Sequence, residues 1–313
     1  MSRDWLFDLL TVAVSCAVSL ALYPLLIRWL RRLGFGQVIQ ETMGASHQAK
    51  AGTPTAGGVL FVVLGLVGGL LSLLTHAGAG PPLVALGLFG LLGLSDDLAK
   101  VRIAQVGIPA RVKFPLQVLC AIPVAWLAQT PQHFLPPQLA WVYWPLAVLV
   151  VVGAANGVNL NDGIDGLAGG TTVLALIGVA LVLPGAPAGA RAVAMTLVGS
   201  LLAFLWFNRH PARIFMGDTG SLGLGAALAA IALQEGWSIL LLLLGAVFVG
   251  ETLSVIMQVT FFKATGGRRV FKDTPIHLTF QHEGWSENRI ALTFWGVAVI
   301  ALLASGWIAR GLT

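Results

Sequence analysis

Carboxylates are scarce in this chain, and five of them stand where long apolar segments end. The 313 residues contain 13 Asp and Glu against 18 Lys and Arg. A carboxylate in or beside a bilayer is costly unless a cation, water or a metal ion meets it. Because the five positions are predicted to fall on one face of the protein, they predict a polar site there; the residues are Asp96, Asp97, Asp162, Asp165 and Asp218.

Two of the segments that carry these aspartates also have a simple structural explanation. Asp96 and Asp97 both share a helix face with Lys100, which fits a salt bridge at a solvated helix end as well as a site. Asp218 stands between two glycines before an apolar helix, in the segment FMGDTGS at 215–221. A helix N-terminus can bind phosphate, and the alternative is a glycine-rich capping turn.

The third segment, NLNDGIDG at residues 159–166, has a stronger functional signal. Asn159, Asp162 and Asp165 recur every third residue, so one helical turn would bring them near one face. Its two glycines allow a tight turn and a close approach of the backbone to a ligand. A polar loop with Asx turns is the alternative, but the segment directly follows an apolar run, which favours a functional role.

A polar stripe and a basic loop follow later in the chain. Glu251, Ser254 and Gln258 lie at i, i+3 and i+7 on an otherwise apolar helix, a spacing that also suits interhelical hydrogen bonds. The next loop carries a basic cluster at 268–272 and then His277. The cluster either holds an anion or reflects membrane topology, and a single His is more often structural than a ligand.

Carboxylates and amines at a membrane face fit phosphoryl transfer with Mg²⁺. This ion takes oxygen ligands, usually one or two carboxylates and the phosphates of a substrate. Phosphoryl transfer also needs the phosphate charge neutralised and the nucleophile positioned, and Lys100 and Lys113 offer point charges for phosphate. The motifs HExxH, CxxC, GxGxxG and Walker A are missing, which counts against a zinc hydrolase and against nucleotide sites of those types.

The elements that must position these residues are membrane helices. With 57% apolar residues, 10% charged residues and a mean hydropathy of +0.87, the chain is excluded as a soluble globule. A window of about 20 residues predicts an all-α polytopic membrane protein with a single domain, residues 1–313. The ten predicted spans are 5–27, 55–75, 80–96, 114–129, 141–158, 170–184, 191–207, 220–234, 237–262 and 289–309.

The basic residues orient these spans. All Lys and Arg except Arg3, Arg191 and Arg310 fall on one face. The positive-inside rule makes that face cytoplasmic and puts both termini on the non-cytoplasmic side. The five aspartates lie on the same cytoplasmic face, and the loops predicted to form the site are about 28–54, 97–113, 159–169, 208–220 and 263–288.

Longer blocks around these residues resemble the polyprenyl-phosphate N-acetylhexosamine-1-phosphate transferase superfamily. That resemblance is carried by SDD at 95–97, NLNDGIDGLAGG at 159–170 and FNRHPARIFMGDTGSL at 207–222. Further blocks narrow it to the MraY family, the phospho-N-acetylmuramoyl-pentapeptide transferases; they are 51–58, 107–117, 250–271, 275–277 and 284–290.

The resemblance implies a reaction, its partners and a place in the cell. UDP-MurNAc-pentapeptide would donate phospho-MurNAc-pentapeptide to undecaprenyl phosphate, giving lipid I and UMP in peptidoglycan synthesis, with Mg²⁺ as cofactor. The enzyme would lie in the bacterial inner membrane with its active site facing the cytoplasm. It would bind no nucleic acid, and homodimers are common in the family that it resembles.

The resemblance also implies roles for individual residues. Asp96 would deprotonate or position the lipid phosphate, with help from Asp97. Lys113 would meet phosphate, and Asp218 would hold Mg²⁺, with Asp162 as a second candidate ligand. The implied substrate-binding positions are Lys100, Thr53, Thr55, Asn159, Asp162, Asp165, Asn208, Phe215, Gln258 and His277.

One departure from the family pattern leaves alternatives open. The MraY pattern reads PIHHH, whereas here Leu278 and Thr279 follow the first His. A WecA-like transferase that uses UDP-GlcNAc or a related donor is the alternative within the superfamily, although the blocks 251–259 and 284–290 favour MraY. Outside it, a transporter would place acidic residues near the bilayer midplane within inverted repeats, and the missing His pair leaves an inactive scaffold open.

Overall fold

The computed structural model describes residues 5–36, 52–104, 107–183 and 185–312. Residues 37–51 of the predicted loop 28–54 therefore lie outside the described part, as do residues 105 and 106 of the loop 97–113. Twelve α-helices account for most of the described residues: α1 (Trp5–Arg32), α2 (Gly58–Leu73), α3 (Gly80–Ala99), α4 (Ala110–Leu127), α5 (Tyr143–Asn161), α6 (Leu167–Ile177), α7 (Ala188–Asn208), α8 (Gly217–Gln234), α9 (Leu241–Leu244), α10 (Ala246–Ala264), α11 (Ile276–His282) and α12 (Glu287–Leu312).

Shorter helical turns extend or connect these helices. The π-helical turn Lys100–Ala104 continues α3, and a second, Gly178–Val182, continues α6. Two 3₁₀ turns, Pro137–Val142 and Ser238–Leu240, precede α5 and α9. The protein is therefore all-helical across the described residues, as predicted.

Seven helices in the described part of the chain are long and apolar enough to cross a membrane. Two shorter apolar helical segments, Gly58–Leu73 and Leu167–Val182, also match predicted spans. The chain is thus a multi-pass membrane protein, while the count of ten spans and the orientation of the termini stay predictions. Outward-facing apolar side chains such as Trp307, which is 80% exposed, are those expected on a surface solvated by lipid.

The ninth predicted span, 237–262, is not one continuous helix. It begins with the 3₁₀ turn and the single turn of α9, and α10 starts after Gly245, whose φ of −94° and ψ of 22° depart from helical values. A Cβ at Gly245 would lie 2.8 Å from the carbonyl oxygen of Leu241. Apolar composition predicted the length of this segment but carried no signal for the break.

Helix α8 lies at the centre of the bundle and is buried from Asp218 to Leu233. It packs against α2, α3 and α5. Each of these contacts depends on a glycine: a Cβ on Gly93 would collide with the carbonyl group of Asp218, one on Gly58 with Gly220, and one on Gly225 with Ala154. Small residues permit such close backbone approach between membrane helices, and here they bring the start of α8 to the end of α3.

Candidate functional site

Four charged side chains form one network where α3, α4 and α8 meet. The Lys100 Nζ lies 2.7 Å from Asp96 Oδ2 and 2.8 Å from Asp218 Oδ1. The Lys113 Nζ contacts Asp218 Oδ2 and lies 3.4 Å from Asp96 Oδ2. The two buried carboxylates therefore share two ammonium groups. Their negative charges are balanced by the positive charges of the two lysines within the network.

Three chain segments bring this network together. Asp96 lies in the last turn of α3, and the wider π-helical turn that follows carries Lys100 back over it. Asp96 Oδ1 also accepts the backbone N–H of Ile108 at 2.7 Å, which ties down the segment that leads to Lys113 in α4. Asp218 stands in the first turn of α8. Residues more than 100 positions apart therefore form one polar centre.

Asp97 makes a different set of contacts from its neighbour. Its Oδ1 accepts the N–H of Asp218 at 3.0 Å, and its Oδ2 accepts the N–H of Thr219 at 3.0 Å and the Thr219 hydroxyl at 2.7 Å. The two N–H groups are unpaired donors of the α8 N-terminus, where a negative charge is favourable. Asp97 therefore caps α8 and fixes the position of Asp218, while its implied assistance to Asp96 stays a prediction.

Asn159 joins the network from α5. Its Nδ2 donates to Asp218 Oδ1 at 3.2 Å and to the Ser221 hydroxyl oxygen at 2.9 Å. One turn away, Gln117 and Asn156 exchange two amide hydrogen bonds of 3.2 and 2.7 Å between α4 and α5. This amide pair aligns the helix that carries Lys113 with the one that carries Asn159.

The turn at residues 162–166 is anchored by Asp165. Asp162 is half-buried where α5 ends, and Asp165 is buried. The Asp165 Oδ2 accepts the N–H of Ala212 and meets His210 Nδ1, both at 3.0 Å, while its own backbone N–H donates to Glu287 Oε2 at 3.1 Å. The ligand atoms of Asp165, His210 and Glu287 all lie within 4.8 Å of one another, a spacing that would admit a metal ion.

Asn208 fixes the other end of this turn. Its Oδ1 accepts the N–H of Gly166 at 2.9 Å, and its Nδ2 donates to the carbonyl of Ile214 at 2.8 Å. Trp295 of α12 donates to the Gly166 carbonyl at 3.3 Å. Asn208 is thus a buried link between the 162–166 turn and the loop before Asp218.

Sequence reasoning missed His210, Glu287 and Trp295 as supports of this turn. His210 and Glu287 lie inside the resembling blocks 207–222 and 284–290, so the blocks themselves carried the signal. Which turn these residues would reach was not readable, because the contacts span 122 positions for Glu287 and 129 for Trp295.

The segment that contains Thr53 and Thr55 is hydrogen-bonded to the loop that contains Phe215. Phe215 N–H donates to the Pro54 carbonyl at 2.8 Å, and Gly57 N–H donates to the Phe215 carbonyl at 2.8 Å. Thr55 N–H donates to the Phe35 carbonyl at 2.8 Å. The segment that holds both threonines is therefore pinned beside the loop that leads into Asp218.

Gln258 is engaged with its own chain. Its Oε1 accepts the N–H groups of Val270 and Phe271, each at 3.0 Å, so it closes the loop that follows α10. A cavity of about 250 Å³ opens beside it, with Lys263 and Arg269 among the lining residues. The implied role of Gln258 in substrate binding stays a prediction.

His277 is buried in the first turn of α11, beside α10. Its Nδ1 lies 3.2 Å from Glu251 Oε2. Thr279, which stands where the family pattern has a His, instead closes the preceding loop: its hydroxyl donates to the Asp273 carbonyl at 2.6 Å and accepts the Asp273 N–H at 3.2 Å. The departure from the pattern thus has a local structural role.

An apolar groove of about 320 Å³ lies between α5 and the α9–α10 segment. Its walls include Leu149, Gly153 and Gly157 of α5 and Phe248 and Thr252 of α10. The groove follows α5 as far as Gly157, two residues before Asn159, so it ends close to the level of the charged network along this helix.

Comparison with known proteins identifies relatives over nearly the whole length of this chain. Glycosyl transferase family 4 matches residues 81–235. The phospho-N-acetylmuramoyl-pentapeptide-transferase of Heliobacterium modesticaldum is 43% identical over 300 residues, covering 92% of this chain and 93% of that protein. The proteins of the same name from Halalkalibacterium halodurans and Maridesulfovibrio salexigens are 41% and 39% identical over 96% and 95% of this chain, and over 98% and 90% of their own lengths. This chain therefore belongs to the phospho-N-acetylmuramoyl-pentapeptide-transferase family, an enzyme family of glycosyl-1-phosphate transferases.

Proposed function

We propose that this chain transfers phospho-MurNAc-pentapeptide from UDP-MurNAc-pentapeptide to undecaprenyl phosphate, releasing UMP and forming lipid I. The names of the relatives support the donor and a role in peptidoglycan synthesis. The observation that carries the chemistry is the network of Asp96, Lys100, Lys113 and Asp218, which lies towards one end of an apolar groove.

The proposed location is the bacterial inner membrane, with the active site facing the cytoplasm. All of residues 1–313 would form one transferase domain whose five loops named above face that side. The distribution of Lys and Arg supports this orientation. We propose a homodimer as the assembly, on the resemblance to the family alone.

The acceptor would enter along the groove and meet the charged network with its phosphate. In the reaction an oxygen of the lipid phosphate bonds to the donor phosphorus that carries the sugar, and the bond from that phosphorus to UMP breaks. Asp96 would position or deprotonate the attacking phosphate. Lys100 and Lys113 would neutralise phosphate charge, which is the main requirement of phosphoryl transfer.

The donor set of the network suits Mg²⁺. Asp218 and Asp96 present carboxylate oxygens around the same two ammonium groups, and hard oxygen ligands are those that Mg²⁺ prefers. Asp218 would hold the ion, with Asp96 beside it and Asp162 as a further candidate ligand. When bound, the ion would neutralise charge on the donor diphosphate.

The donor would lie over the turn at 162–166. Asn159 lies in the last turn of α5, Asp162 and Asp165 lie in the turn itself, and Asn208 reaches Gly166 from the end of α7. Phe215 would contribute from the loop before α8. Thr53, Thr55, Gln258 and His277 would line its edges. The hydrogen bonds that already fix Asp165 and Asn208 support a preorganised binding surface.

The test measures UMP release from purified protein with undecaprenyl phosphate and Mg²⁺. UDP-MurNAc-pentapeptide and UDP-GlcNAc are supplied in separate reactions, each with and without a chelator. We expect release with the first donor alone, and its loss with the chelator. Release with UDP-GlcNAc alone would assign the chain to WecA-like transferases, and release with neither donor would reject the transferase proposal.

A further inference from the structure

Glu251, which the reaction above leaves unused, makes a buried carboxylate–imidazole contact with His277 between α10 and α11. Glu251 Oε2 lies 3.2 Å from His277 Nδ1, and the two side chains are 0% and 2% exposed. Glu251 stands on a helix whose composition is otherwise largely apolar. An ionisable group in such a helix is costly and usually marks a functional site with a specific partner.

The partner of Glu251 is settled by distance. Within the described residues, His277 is the basic side chain whose nitrogen comes within 4.0 Å of the Glu251 carboxylate. The pair joins a membrane helix to a helix of the loop that follows it. Removing one partner would leave the other as a buried polar group without its partner, which destabilises the fold.

The opposite edge of the His277 ring meets the turn at 162–166. A Cβ on Gly163 would collide with His277 Nε2, so the imidazole fills the space that a side chain at this position would take. The two ring nitrogens therefore face different elements, Nδ1 towards α10 and Nε2 towards the turn. The contact made by one ring nitrogen determines whether the other nitrogen carries the proton and how the ring is oriented.

We propose that Glu251 is a positioning residue that holds the His277 imidazole against Gly163 and so shapes the donor side of the site. This inference rests on the proposed function, because the turn affects turnover only if the donor binds there. His277 is also the sole His of the 275–279 segment, so no neighbouring imidazole replaces it when its orientation is lost.

The test compares Glu251→Gln with the wild-type protein while each substrate is varied in turn. We expect the KM for UDP-MurNAc-pentapeptide to rise about 10-fold, because small misplacements of positioning groups cost factors of this order or more. The KM for undecaprenyl phosphate should not change. Glu251→Asp, which keeps the charge, should recover part of the loss.

Two further variants separate positioning from general damage. Combining Glu251→Gln with His277→Gln should be no worse than His277→Gln alone, since residues that act through one another are non-additive. Gly163→Ala approaches the ring from its other edge without touching α10 and should raise the same donor KM. This variant keeps the inference testable if Glu251→Gln does not fold.

Glu235→Gln is the matched control. Glu235 is also a buried carboxyl, just beyond the end of α8, and burial raises its pKa well above the ordinary value. The substitution should leave both KM values unchanged. Equal rises in both KM values for Glu251→Gln, or unaltered kinetics for it and Gly163→Ala in an active protein, would overturn the inference alone; a wild-type protein inactive with every donor would overturn the proposed function.

Discussion

Asp97 and Asp218 are joined through the backbone of one and the side chain of the other. The Asp97 Oδ1 accepts the Asp218 N–H at 3.0 Å, and its second oxygen binds Thr219 of the same helix turn. Asp97 therefore places the carboxylate of Asp218 between Lys100 and Lys113. Adjacent aspartates in α3 thus have separate tasks, since Asp96 belongs to the charged network and Asp97 holds the helix that completes it.

Asp97→Asn should reduce stability as well as activity. An amide cannot accept all three hydrogen bonds with a full negative charge, and each charge-assisted bond contributes about 1.5–3 kcal/mol. We expect a lower Tm in thermal unfolding of the detergent-solubilised protein, together with slower UMP release. An unchanged Tm would show that the cap does not stabilise α8.

Asp218→Asn should abolish most activity and leave the fold intact. The substitution is isosteric and keeps the cap from Asp97, because that cap uses the Asp218 backbone. Loss of a preorganised charged group at a reacting centre costs on the order of 10²–10³-fold in kcat. UMP release and Tm are measured together, and full turnover in this variant would refute the metal role proposed for Asp218.

Gln117→Leu should slow the reaction without touching a substrate. The change removes both hydrogen bonds with Asn156 and leaves that half-buried amide only partly paired, at a cost of about 1 kcal/mol. Because the pair aligns α4 with α5, we expect a lower Tm and a lower kcat through Lys113. The double variant Gln117→Leu with Asn156→Leu should regain stability relative to the single one, and a further loss would argue against this pairing.

Gly153→Leu should block the proposed lipid groove. A Cβ on Gly153 meets no atom within 4 Å, so the larger side chain can project into the groove without a clash with the protein. We expect the KM for undecaprenyl phosphate to rise at least several-fold while the donor KM stays constant.

Gly250→Leu is the control for this groove substitution. Gly250 also stands in a helix, and an added Cβ there would meet no atom within 4 Å. It is not among the groove-lining residues. Its kinetics should match those of the wild-type protein. Equal effects of the two substitutions would place the acceptor elsewhere.

Much of this organisation was predictable from local sequence. Apolar segments of about 20 residues predicted membrane helices, and a helix was found in every predicted segment, although Gly245 interrupts the ninth. The same reading did not separate Asp96 from Asp97, because successive residues of a helix point about 100° apart and the direction of each depends on what packs nearby.

The sequence by itself determined that the protein lies in a membrane, where its helices are, and which segments carry polar chemistry. Apolar length and residue type are local properties and can be read without the fold. Only the tertiary structure decided which polar groups meet. Gln258 hydrogen-bonds to the loop after its own helix, Thr279 closes the loop before α11, and Glu251 contacts His277. These pairings depend on close helix approach at glycines such as Gly93 and on contacts between distant positions, which no local pattern encodes.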